Sequence, residues 1–237
     1  MTDNKFPEKK TRGDHVLAVA RGALGAIPFG GAAATEVLSY VFTPPLLERQ
    51  REWFDDLGER IERLKSERGI TLDQLRDNPA FIDAVATATH SVLRTSSQEK
   101  RDAFRNAVTN AALAHSPGLA LQQIFLAVTD RFSELHLVML RFAQSATQFR
   151  TPSGEHLPQR SRATEVLEDA FPESRTKPDL YRIVWTDLFA SGLVKLPNLE
   201  NGLEGDARSI RRTSELGDRY LAFIASPLSS HQSRESA

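Results

Sequence analysis

Residues 16–42 read VLAVARGALGAIPFGGAAATEVLSYVF, and only Arg21 and Glu36 in them carry charge, in a chain that is 26% charged. How this stretch is read decides the fold. Its longest uncharged run, 22–35, is 14 residues, whereas a membrane-crossing helix needs about 20 apolar residues. Pro28 interrupts it and Gly30-Gly31 follows at once, so the stretch reads as two short helices, 15–26 and 32–42, folded into an apolar hairpin over 15–42. Each arm is about 16 Å long, roughly half a bilayer core. Ala18, Gly22 and Ala26 recur every fourth position, a spacing that lets helix backbones approach closely. Two readings stay open. The hairpin is the buried core of a bundle, or it is a self-association or membrane-contacting surface built on Gly22, Leu24, Gly25, Ile27, Phe29, Gly30 and Gly31.

Working outward, composition excludes several classes. A chain of 237 residues can bury a sizeable core. Its formal net charge of −1 gives no general attraction to nucleic acid or anionic lipid. With no cysteine, disulfides, thiolate zinc sites and a cysteine nucleophile are all excluded. The expected setting is the cytoplasm, with peripheral membrane contact as the alternative location.

The rest of the chain reads as helix nearly throughout. Residues 1–14 and 228–237 are polar and read as tails. Pro44-Pro45 opens a long helix to Arg68, stopped by Gly69, with Leu46, Leu47, Trp53, Phe54, Leu57, Ile61 and Leu64 at helical period. Thr71 with Gln74 and Ser96 with Glu99 form capping boxes, and Asn78 caps a helix that starts at Pro79. Phe81, Ile82, Val85, Val92 and Leu93 are its expected buried side. After Ser116-Pro117-Gly118 a helical stretch runs to Phe142, bent near Ser133. Residues 15–150 are therefore expected to form a helical bundle.

The segment 151–163, TPSGEHLPQRSRA, has the composition of a linker. Beyond it come a short helix, a second opened by Pro178 and ended by Gly192, and a last one capped at Thr213. LVKL (193–196) and ARSIRR (207–212) bracket a polar loop and could pair as a hairpin. Residues 164–226 thus read as a short winged-helix-like α+β domain. The expected fold is mainly α, a bundle followed by that domain. The hairpin GAIPFGG leading into PPLLERQREWFDDL, the segment RTSSQEKRDAFRNAVTNAAL and the terminal TSELGDRYLAFI resemble poorly characterised bacterial helical proteins of abortive-infection and phage-defence loci. The resemblance implies an architecture and a defence context, and it brings no catalytic residues.

The chemistry is sparse. Gly25 and Gly30 have phosphate-loop spacing, but Gly31 and Ala32 stand where lysine and a hydroxyl residue are required. The six histidines do not pair at i,i+3 or i,i+4, so no metal ligand set and no cofactor are expected. Arg131 and His136 have the R-x4-H spacing of HEPN-type ribonucleases, whose histidine serves as acid–base group and arginine faces phosphate. A chain with 23 arginines matches that spacing readily by chance. On the wing, Arg208, Arg211 and Arg212 are the candidate nucleic-acid contacts. Against that use, residues 160–237 hold 11 basic and 12 acidic side chains, and phosphate binding normally needs a basic surface. The reading that results is a non-enzymatic helical interaction protein whose partner is another protein or itself, with membrane contact on activation.

Overall fold

The computed structural model describes residues 32–113, 117–199 and 206–227, with side chains from Pro45 onward. The described residues are mainly helical and contain no strand, only isolated bridges. The helices are α1 (Ala32–Arg68), α2 (Leu72–Arg76), α3 (Pro79–Arg94), α4 (Gln98–Ala112), α5 (Leu119–Arg131) and α6 (Glu134–Gln144). They continue with α7 (Ala163–Ala170), α8 (Glu173–Thr176), α9 (Pro178–Ala190) and α10 (Glu215–Ile224). The chain divides into a unit of Met1–Glu59 and a unit of Arg60–Ala237.

The described part of the first unit is the N-terminal stretch of α1. Here the structure corrects the sequence reading: the helix expected to end at residue 42 runs on through Pro44-Pro45 to Arg68. Proline's fixed φ is itself helical. What it removes is an N–H, so the carbonyls of Tyr40 and Val41 lose their i+4 partners while the turn continues. The first arm of the expected hairpin, its tip, and with them Gly22, Leu24, Gly25, Ile27, Phe29, Gly30 and Gly31, lie outside the described residues.

In the second unit the local signals are obeyed closely. The Thr71–Gln74 capping box forms in both directions, and the Asn78 carboxamide accepts from Phe81 N–H at 3.1 Å. The next cap shifts by one: Ser97, not Ser96, accepts from Lys100 N–H. The bend near Ser133 is a full break, because α5 ends at Arg131 and Ser133 caps α6. The final helix is capped by Ser214 through Gly217 N–H, one residue beyond Thr213.

The core of this unit is aromatic. Phe104, Phe125, Phe132, Phe142 and Tyr220 are fully buried. Phe125 meets the Tyr220 ring edge-on at 5.3 Å, and the buried Tyr220 hydroxyl shares a 3.0 Å hydrogen bond with Thr129. Ile82, expected on the buried side of its helix, faces solvent instead, as does the apolar Ile124. Ile82 is 49% and Ile124 is 55% exposed, because the buried stripe of α3 is Phe81, Ala84, Ala88 and Val92, and that of α5 is Gln122, Phe125, Leu126 and Thr129. A helix buries one stripe, so the apolar neighbour one position off it turns outward.

Residues 151–163 lie inside this unit. They turn tightly at Thr151–Gly154, bridge Arg150 to His156, and bury Leu157, whose carbonyl accepts from Arg208 at 2.6 Å. Polar side chains then fasten distant elements. Gln122 donates to the Ala80 carbonyl at 2.7 Å, and Asn110 donates to the carbonyls of Phe223 (2.7 Å) and Ala225 (2.9 Å) at the end of α10.

Near the start of α10, Val194 and Thr213 form an antiparallel bridge, supported by Lys195 N–H to Arg212 O and Ser214 N–H to Leu193 O, both 2.9 Å. A Cβ at Gly217 would stand 2.1 Å from the Leu193 carbonyl oxygen, so only glycine admits this approach. Gly217→Ala is therefore expected to lower stability by about 3 kcal/mol. Gly58→Ala, mid-helix with nothing within 4 Å of its added methyl, should be neutral or stabilising by up to about 1 kcal/mol. Urea midpoints of the two variants check the contrast. Equal midpoints would contradict the packing of α10 on Leu193.

Candidate functional site

The chemistry-bearing residues gather at the junction of α5 and α6. Ser133 leaves its backbone N–H to the first turn of α6, and His136, three positions on, accepts it at Nδ1 over 3.2 Å. The Ser133 hydroxyl lies 2.7 Å from the same nitrogen. An accepting Nδ1 fixes the neutral tautomer with its proton on Nε2, which faces Asp187 of α9 at 3.3 Å. The imidazole also stacks on Phe132, with ring centres 4.5 Å apart. Burial lowers its pKa first. The hydrogen bond and charge of Asp187 act the other way, and the charges of Arg131 and Lys100 add to the lowering.

Arg131 turns elsewhere. Its guanidinium lies over the Phe132 ring at 5.2 Å and donates to the Ser191 hydroxyl at 2.6 Å. Arg131 and His136 thus flank one aromatic ring and engage Ser191 and Asp187 respectively. His136 is only 9% exposed. In this arrangement the imidazole caps a helix and ties α6 to α9. Sequence reasoning missed Ser133, Asp187, Ser191 and Lys100 here. The S-x-x-H spacing at a helix start was the one local signal available, since a side chain at the third helical position can reach back to the cap.

The sign of the linkage follows from the lowered pKa. Above the unfolded value of 6.5 His136 is neutral in both states and its stabilisation is complete. As pH falls below it the unfolded chain takes up the proton first, so stability drains until the lower folded pKa is passed. Urea midpoints measured from pH 8 to pH 5 should fall for the parent and fall less for His136→Gln. Parallel profiles would remove His136 as the source.

The three arginines expected from the sequence to contact nucleic acid, Arg208, Arg211 and Arg212, are occupied within the chain. Arg208 forks onto Asp206 and reaches the Leu157 carbonyl. Arg211 pairs with Asp218 at 2.8 Å. Arg212 is 4% exposed and donates to the carbonyls of Ala207 and Ile210, and burial lowers its pKa. Phosphate contact would require each to give up bonds it already makes.

The solvent side of α9 has a different character. Pro178 starts it, Gly192 at φ 71 closes it, and Tyr181, Val184, Trp185 and Leu188 are buried. Outward it presents Leu180 (45% exposed) and Ile183 (57%), with Asp179 paired to Arg182, Asp187 facing His136, and exposed Lys177 just before its first turn.

Among the described residues no cluster of three or more acidic, histidine or cysteine side chains could hold a metal ion, and no helix is long and apolar enough to cross a membrane. No protein-family model, curated protein or solved structure matches the chain.

Proposed function

We propose that this chain is a helical interaction protein that binds a protein partner, or a second copy of itself, through the solvent side of α9. The observation that carries the reading is the exposure of Leu180 and Ile183 among the polar and charged side chains of α9. Exposed apolar side chains inside a polar rim are the anatomy of a protein interface.

Two sequence features extend the proposal. The bridge of Val194 with Thr213 is consistent with a winged-helix-like end to the chain, used here for protein rather than DNA. The resemblance to bacterial abortive-infection proteins supports a defence-associated effector or adaptor. Self-association is assigned to the glycine-rich stretch around Gly22 and Gly25, with membrane contact by Leu24, Ile27 and Phe29 on activation.

Light scattering over a concentration series tests the reading. The parent should associate, and Leu180→Asp with Ile183→Asp should weaken association by at least tenfold while circular dichroism stays unchanged. Gly22→Leu with Gly25→Leu should weaken it separately. A parent that is monomeric at every concentration and recovers no partner in pull-downs would end the proposal.

A further inference from the structure

One line along α3 is uncharged and faces solvent. Ile82, Ala86, Thr89 and Leu93 recur at i, i+4, i+7 and i+11 on it. Ile82 is 49% exposed, Ala86 is exposed, and Thr89 and Leu93 are half-buried. Beside it runs α5. Gln122 donates to the Ala80 carbonyl at 2.7 Å, Gln123 to Asp83 at 3.3 Å and Arg94 to Asp130 at 2.6 Å. The two helices therefore lie side by side with their starts together. The outer side of α5 continues the surface with Ala120, Ile124 and Ala127, all exposed. Together α3 and α5 present one face of isoleucine and alanine, and its alanines let another helix come close.

The charges beside this line fit a second copy of it. Asp83, His90 and Arg94 stand at i, i+7 and i+11 on the flank of α3 nearest α5. Two copies of α3 packed antiparallel about a two-fold axis bring like flanks together. When Ile82 of each copy meets Leu93 of the other, the axis passes between Thr87 and Ala88, and the two Ala86 methyls lie beside it. Asp83 then falls between His90 and Arg94 of the second copy, about 3 Å along the helix from the level of each. The carboxylate meets an imidazole and a guanidinium, twice by symmetry. Arg94 holds Asp130 through one nitrogen and keeps further donors for this contact. Asp83 is the one acidic residue of α3, so pairing the helix with itself opposes no two carboxylates. A parallel pair brings opposite flanks together and gives Asp83 no basic partner on α3.

We infer that the chain forms a two-fold dimer in which the α3–α5 faces of two copies pack antiparallel. The occupant of the face is a second copy because the face complements itself, Ile82 with Leu93 along the line and Asp83 with His90 and Arg94 along the flank. The helices are about 24 and 20 Å long, which places this face near the lower end of specific interfaces and its dissociation constant in the micromolar range. The inference does not rest on Leu180 and Ile183, which belong to another helix.

The chain has no cysteine, so an introduced thiol reports one contact in the full-length protein. Under mild oxidation Ala86→Cys should form a disulfide-linked dimer. Ile82→Cys mixed with Leu93→Cys should cross-link while neither does so alone, because two copies of either position stand about 16 Å apart in the antiparallel pair. In sedimentation equilibrium, Ile82→Asp with Ile124→Asp should raise the dissociation constant at least tenfold with an unchanged circular dichroism spectrum, both side chains being half in solvent. Asp83→Arg should weaken the dimer several-fold, and adding His90→Asp should restore part of the loss, a rescue that damage to the fold would not give. Leu180→Asp with Ile183→Asp in the Ala86→Cys background should cross-link as Ala86→Cys does. Cross-linking there, with no association lost on changing α9, would end the α9 reading and leave this one standing. A monomer at every concentration, a dimer that Ala86→Cys does not cross-link, or self-linking by Ile82→Cys or Leu93→Cys alone would each overturn the inference.

Discussion

Asn110 of α4 donates through one carboxamide nitrogen to the carbonyls of Phe223 and Ala225, and Asn106, one turn earlier, donates to Ile224. The last carbonyls of any helix lack partners inside the helix, and here α4 supplies them from more than a hundred residues away. Much of the second unit depends on this fastening. It holds α10 in place, which sets Tyr220 against Phe125 and Thr129. It also brings Gly217 onto the Leu193 carbonyl, and so positions the turn that follows α9. The residues read as a separate C-terminal domain pack within one compact unit with α3 to α6.

The same economy governs charge. Arg208, Arg211, Arg131 and His136, nominated for phosphate or acid–base chemistry by residue type and spacing, each find a partner in the chain. Arg212 is buried on the backbone carbonyls of Ala207 and Ile210. A guanidinium can satisfy several carbonyls in one plane, which suits the irregular turn of 207–212. What these groups leave exposed on α9 is apolar, Leu180 and Ile183, and that remainder carries the functional reading.

Much of the helical architecture was legible in the sequence because its signals are local. Thr71 with Gln74, Asn78 before Pro79, Gly69 and Gly192 each act within one turn, and each appears in the structure where the sequence placed it. Errors arose where a local rule met a longer-range one. Pro44-Pro45 reads as a helix start because proline is favoured there, yet α1 passes through it. Ile82 and Ile124 are apolar by type, but they sit one position off the stripes their helices bury.

The sequence by itself determined the mainly helical class, most helix ends, and the exclusion of cysteine chemistry, since composition, caps and breakers need no distant partner. Tertiary structure alone decided which polar groups are spent internally and which apolar ones face solvent. Asp187 meets His136 across 51 residues and Asn110 meets Phe223 across 113, and no periodicity in either helix announces the pairing. Those contacts exist only after packing has aligned the helices, because a hydrogen bond depends on ångström-scale position rather than on residue order.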